Sequence, residues 1–207
     1  MAKQGREKII TTAFTLFLNK GYQKTSLNDI ILATNSSKGA IYHHFKNKHA
    51  IYLAALDEYF FKLYENILID DSTLSLQKRI KNRYTFFVDL IDFVEKSGGD
   101  LLFPIRRYFL FQLESESDDI IRTKVLETLH EYHIEIENII HTSIKSKEIK
   151  VSLSASVIAQ QLISMIEGIA IHNSTLEKNC KLFLLKKYDE VIHPYITLLT
   201  NQNHTNI

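Results

Sequence analysis

The chain has 207 residues, 45% of them hydrophobic and 24% charged, with two prolines, six glycines and a lone Cys180. This suits one large or two small domains with a sizeable core, and it excludes a disulfide framework or a cysteine-built zinc site. The net charge of +1 hides an asymmetry: residues 1–50 carry eight Lys/Arg against Glu7 and Asp29, a surplus of six that leaves the remainder acidic, which points to a nucleic-acid-binding end with a second function behind it.

Residues 4–20 form the first periodic stretch. Ile9, Ile10, Ala13, Phe14, Phe17 and Leu18 recur at three- and four-residue spacing and make one helical face. Lys20 stands in the last turn, where the helix dipole favours a cation, and Gly21 ends the helix. Residues 25–48, TSLNDIILATNSSKGAIYHHFKNK, then read as two short helices around a tight turn. Leu27, Ile30 and Ile31 give the first an apolar face. Asn35 tolerates the left-handed backbone such a turn needs, and Ser37, or Ser36 before it, can cap the second helix. That helix, 38–45, buries only Ile41 and Phe45. A helix this short and polar adds little to a core. Helix, turn and exposed polar helix is the helix-turn-helix arrangement, whose second helix enters the major groove.

On that reading the DNA contacts fall to Thr25, Ser37, Lys38, Gly39, Tyr42, His43 and Lys48. Gly39 lets the helix approach the groove, and Lys38 reaches a phosphate or a guanine edge. Tyr42 and His43 donate to phosphates, Ser37 caps the groove-facing helix, and Thr25 bonds a phosphate beside its own helix N-terminus. Lys48 holds a phosphate from the start of the next helix. Packing and capping are the competing roles for Tyr42 and Thr25. Lys3 and Arg6 are candidates for a minor-groove arm.

Gly21-Tyr22, Thr25-Ser26, Asp29-Ile30, Ser37-Lys38-Gly39-Ala40-Ile41-Tyr42-His43-His44-Phe45 and Lys48 together resemble the DNA-binding domain of the TetR/AcrR family of bacterial transcriptional regulators. Asn35 departs from the family's usual glycine at the turn, and Ser36 from its usual apolar residue. The resemblance implies an all-α protein. Residues 1–48 would be a three-helix DNA-binding domain and 49–207 a larger ligand-binding and dimerisation domain. A connecting helix at 48–68 would carry the signal by its tilt. It also implies a homodimeric repressor, released from a palindromic operator when a small lipophilic molecule binds. A constitutive regulator without a ligand is the alternative.

Beyond the connecting helix, helices are expected over 76–96, 101–113 (opening around Pro104), 118–147, 151–176 and 180–200. Ser97-Gly98-Gly99-Asp100 and Glu114-Ser115-Glu116-Ser117 make two of the breaks. Phe60, Tyr64, Phe87, Tyr108, Phe109 and Gln112 are the candidate ligand-pocket residues, with plain core packing as the rival for each aromatic. Ile158, Leu162, Met165 and Ile169, with Gly168, share a face of one late helix. Leu185, Tyr188 and Ile192 line the last. Two-fold readers of palindromes act as dimers, and the resemblance pairs these two helices into a four-helix bundle; the rival is that both stripes face their own core. His130, His133, Glu137 and His141 share one helix edge, a metal or pH-sensing stripe if not simply a solvated one. No metal or cofactor is expected. HExxH, Walker A, GxGxxG and GxSxG are absent, so no enzyme is expected. No opening signal run or uninterrupted stretch of about 18 apolar residues is seen, so a cytoplasmic protein off the membrane is expected.

Overall fold

The computed structural model describes residues 2–62, 72–97, 102–113 and 119–201, and among these it is helical throughout, with no strand. The helices are α1 (Ala2–Lys20), α2 (Leu27–Thr34), α3 (Lys38–His44), α4 (Lys48–Leu56), α5 (Leu76–Ser97), α6 (Pro104–Leu113), α7 (Asp119–Lys145), α8 (Ala155–His172) and α9 (Cys180–Thr200). Arg6 lies inside α1 with its guanidinium 5.3 Å from the centre of the Phe45 ring, so it braces α1 against the end of α3 rather than extending as an arm.

Caps set most of these boundaries. Ser37, Asn47 and Ser154 each accept a hydrogen bond from the backbone N–H three residues on, opening α3, α4 and α8. Asn179 opens α9 differently: its backbone is left-handed (φ 60°) and its side chain makes no cap. The Glu95 carboxylate of α5 takes over, accepting from the N–H of Asn179 at 2.6 Å and of Cys180 at 3.1 Å. The Cys180 thiol is buried beside that carboxylate, and burial and charge together push it up to about 12, where it is inert.

Of the single helix expected over 48–68, residues 63–68 lie outside the described residues, and 48–62 depart from it. The α-helix stops at Leu56, and Asp57–Phe61 winds as a π-helix, with the Lys62 N–H bonded to the Asp57 carbonyl. Buried residues therefore step by five across this turn, from Ala55 to Phe60 and from Leu56 to Phe61. Lys124 of α7 holds the turn from outside, with its ammonium 3.1 Å from Asp57 and 4.2 Å from the centre of the Phe61 ring.

The head (α1–α3) and the body (α4 onward) share one core. Phe14 of α1 stacks on Tyr59 (ring centres 4.2 Å) and meets Phe111 edge-on (5.1 Å). Tyr52 packs against Phe17, Tyr22 and Phe111, and its hydroxyl donates to the Phe111 carbonyl. Arg107 of α6 donates to the Asn19 carbonyl of α1. In the body, α5 packs along α9 and α7 along α8. Arg83 of α5 is buried and pairs with Glu135 of α7 at 2.6 Å; a buried cation needs such a partner.

Candidate nucleic-acid interface

The geometry of α2 and α3 follows from local chemistry. Ser26 and Asp29 form a reciprocal capping box: the Ser26 hydroxyl accepts from the Asp29 N–H, and the Asp29 carboxylate accepts from the Ser26 N–H at 2.7 Å. At the far end Asn35 is left-handed (φ 51°). The Ser36 N–H reaches the Ile31 carbonyl and the Asn35 N–H the Leu32 carbonyl, the double closure that ends a helix in the smallest space. Asparagine thus fills the turn that glycine usually takes. The chain then passes to Ser37, which caps α3. Ile41 at 0% exposure and Phe45 at 5% anchor α3 to the head.

Those two anchors fix the orientation of the remainder. Ser37, Lys38, Gly39, Tyr42 and His43 all face solvent on α3. The Lys38 ammonium lies 5.9 Å from the centre of the Tyr42 ring, so the charge and the phenol form one outward unit. Nothing in the fold requires glycine at 39: a Cβ there would meet only the Ser37 hydroxyl, at 4.0 Å. The only carboxylate on α2 and α3 is Asp29, already engaged by Ser26 and Lys20, so the outward face of α3 presents cations and neutral donors.

Two residues expected to touch phosphate have structural duties in the fold. Thr25 is fully buried, and its hydroxyl donates to the Gly21 carbonyl at 2.8 Å and the Leu16 carbonyl at 3.4 Å; its side chain ties α1 to α2 and does not face outward. Lys48 lies over the Tyr22 ring at 4.1 Å and donates to the Tyr22 carbonyl at 2.8 Å. It holds the start of α4 to the loop after α1, and with three N–H donors an ammonium can do so while still meeting a phosphate.

The Asp29 carboxyl is held down to about 2 by hydrogen bonds from the Ser26 side chain and backbone, then by Lys20. A lowered carboxyl stabilises the fold above its ordinary value of 3.8, and that contribution is lost as pH falls toward 2. Ser26→Ala is expected to cost about 0.5–2 kcal/mol and to return Asp29 toward its ordinary titration. Carboxyl NMR titration and thermal melts of the two proteins check both, and an unmoved Asp29 would show that Lys20 alone holds it.

In the body, Phe60, Phe87 and Tyr108 are buried, Phe109 and Gln112 half-buried, and Tyr64 lies outside the described residues. Phe87, Tyr108, Phe109 and Gln112 do line one space, together with Phe86, Tyr132, Ile166 and Glu167, but it measures about 10 Å³, room for one water. Phe60 is not on that wall and packs with Phe61 and Tyr108. Phe109, Gln112 and Glu167 also line a neighbouring outer cleft of about 360 Å³, walled in addition by Arg106, Leu110, Leu113, Leu129, Ile171 and Ser174. Glu167 went unread in the sequence, although it is the only Asp, Glu, Lys or Arg in the 18 residues of α8.

The dimer stripe needs a larger correction. Ile158, Leu162, Tyr188 and Ile192 are at most 1% exposed and face their own core, so they cannot meet a second chain. Met165, Ile169 and Leu185 are half-buried beside them. The outward apolar residues are others: Val157 (45%) and Ile171 (54%) with Gly168 on α8, and Leu182 (79%), Val191 (41%) and Leu198 (50%) on α9. α8 is also long and apolar enough to cross a membrane by length and composition, with 33% of it buried. Along one side it packs on α7 and α9. His130 and His141 are exposed and His133 lies 3.7 Å from Glu137; among the described residues no group of three His, Cys, Asp or Glu is placed to hold a metal.

Residues 9–55 match the model of a family described as bacterial regulatory proteins, tetR family. Over 176 residues, 84% of each chain, the sequence is 25% identical to the HTH-type transcriptional repressor DhaR of Mycobacterium sp. (strain GP1). A shorter match, 42% over 55 residues, covers 27% of this chain and 30% of the biofilm operon icaADBC negative transcriptional regulator IcaR of Staphylococcus epidermidis. Among solved structures, a TetR transcriptional regulator from Chloroflexus aurantiacus J-10-FL superposes with a TM-score of 0.65 at 25% identity, covering 95% of this chain and 96% of that one.

Proposed function

The chain belongs to the tetR family of bacterial regulatory proteins, a DNA-binding transcriptional regulator, and from that premise we propose that it is a homodimeric repressor whose operator affinity falls when a small lipophilic molecule enters the body. Residues 1–48 read the operator and 49–207 dimerise and sense, in the cytoplasm. The observation that carries the DNA half is α3: two buried anchors, and an outward face of Lys38, Gly39, Tyr42 and His43 on which the fold makes no demand. Ser37 and Lys48 flank that face. Lys38 reads a base edge or a phosphate, Tyr42 and His43 donate to phosphates, and Gly39 admits the backbone to the groove wall.

The outward rows of α8 and α9 support the dimer. Val157 and Ile171 stand fourteen residues apart, and Val191 and Leu198 seven, so each pair returns to one side of its helix. A helix as apolar as α8 with only a third of it buried is suited to cover by a second copy. Two heads held by such a bundle would meet successive major grooves of a palindrome. The outer cleft, within the size range of small-molecule sites, supports a ligand. The small size of the inner space lined by Phe87 and Tyr108, room for one water, favours the constitutive alternative for the conformation seen.

The test starts from operator sites selected out of random duplex DNA. A two-fold site is expected. The double substitution Val191→Asp, Leu198→Asp should give a monomer in sedimentation and weaken operator binding at least tenfold, about 1.4 kcal/mol. A variant that stays dimeric would place the interface elsewhere, and a selected site without two-fold symmetry would end the palindrome reading.

A further inference from the structure

We propose that the cleft between α6, α7 and α8 takes a lipophilic monocation, with the Glu167 carboxylate as its counter-charge. This rests on the ligand-responsive reading above and gives that ligand a chemical class.

Glu167 belongs to both parts of the cleft: the aromatic inner space and the aliphatic outer one. It is half-buried, and among the described residues no hydrogen bond or ion pair reaches its carboxylate. Burial alone pushes its carboxyl above the ordinary range. A carboxylate kept for the fold is normally satisfied, as Asp29, Glu95 and Glu135 are here. One left without a protein partner at the edge of an aromatic wall suits a partner that brings positive charge at small desolvation cost. A quaternary or delocalised cation does that, and in the outer cleft the Phe109 ring adds cation–π attraction.

The other charges nearby sharpen the choice. Arg106 of α6 is exposed and lines only the outer mouth. An anionic amphiphile could reach it, but its tail would then cover Glu167 and bury an unpaired negative charge. Beneath Glu167, the Tyr188 hydroxyl of α9 is committed to the Ile166 carbonyl and stays protonated, because burial and Glu167 raise it. Tyr108 and Tyr132 are the other titratable groups on the wall, and among the described residues no histidine lines either part. Cation affinity therefore follows the ionisation of Glu167: it rises with pH through that group's elevated range and then levels off.

The experiment uses three probes with one tail, below their micelle concentrations: dodecyltrimethylammonium, dodecanol and dodecanoate. Each is titrated into the full chain and into Glu167→Gln, which keeps the shape and removes the charge, with operator binding measured on the same samples. The expected result is cation affinity at least ten times that for dodecanoate in the wild type. Glu167→Gln should reduce it at least tenfold and abolish its pH dependence, leaving dodecanol within twofold. Dodecanoate binding as tightly as the cation, or Glu167→Gln weakening all three alike, would overturn the cation class while leaving a ligand-responsive regulator standing. No binding by any probe, with operator affinity unmoved, would overturn the class and count against the ligand reading as well. The melting temperature of Glu167→Gln should be unchanged or higher, since it removes a half-buried charge that no protein cation offsets.

Discussion

Phe14→Ala is expected to destabilise the protein by about 3–5 kcal/mol, read from urea or thermal unfolding. The ring is 1% exposed and sits where the head meets the body, stacked on Tyr59, edge-on to Phe111 and 6.2 Å from Phe93. Those partners come from the π-turn, α6 and α5, which cannot all close on an alanine without dragging α1 after them. The cavity term therefore adds to the lost transfer energy, and the aromatic pairs contribute about 0.5–1.5 kcal/mol each beyond their area. A loss under about 1 kcal/mol would mean that head and body pack less tightly than these distances state. Operator binding should weaken with stability, because α1 is the platform against which α2 and α3 are set.

Gly39→Val should do the reverse: leave the melting temperature within a degree or two and lower operator affinity at least tenfold, about 1.4 kcal/mol. A Cβ at 39 has the Ser37 hydroxyl at 4.0 Å as its nearest neighbour, so the folded chain accepts the substitution, and valine is a better helix former than glycine. The cost falls only on the complex, where branched methyls would hold α3 off the groove wall. Binding isotherms at fixed salt, beside melts of both proteins, separate the effects. Undiminished binding would mean that another face of the head meets DNA.

Much of the head was legible because its signals are local. Ser37, the left-handed Asn35 and the Ile41–Phe45 spacing each act within one or two turns, so reading them needs no partner. The Ser26–Asp29 box was equally local and is visible as a serine followed three residues later by an acid. Thr25 and Lys48 were harder. A hydroxyl or ammonium beside a helix start looks the same whether it faces phosphate or the Gly21 and Tyr22 carbonyls, and only the fold decides. The late helices failed for a related reason. A stripe such as Ile158–Leu162 records that apolar surface is covered, not which chain covers it, and the outward row of Val157, Gly168 and Ile171 is sparser and easily passed over. Glu167 could have been found by asking why an otherwise uncharged helix keeps one carboxylate.

The wide turn at Asp57–Phe61 has a consequence for how this chain can change in length. A π-turn is an α-helix that has taken in one residue without lengthening, so the residues before and after it keep separate registers. Removing the exposed Glu58 would bring the steps from Ala55 and Leu56 to the two buried phenylalanines back from five to four, the ordinary helical interval. Phe60 and Phe61 would keep their seats in the core. In most helices a one-residue deletion turns every later side chain by about 100° and empties the interior; here it would relieve a surplus. The turn that follows α4 thus carries a built-in spare residue.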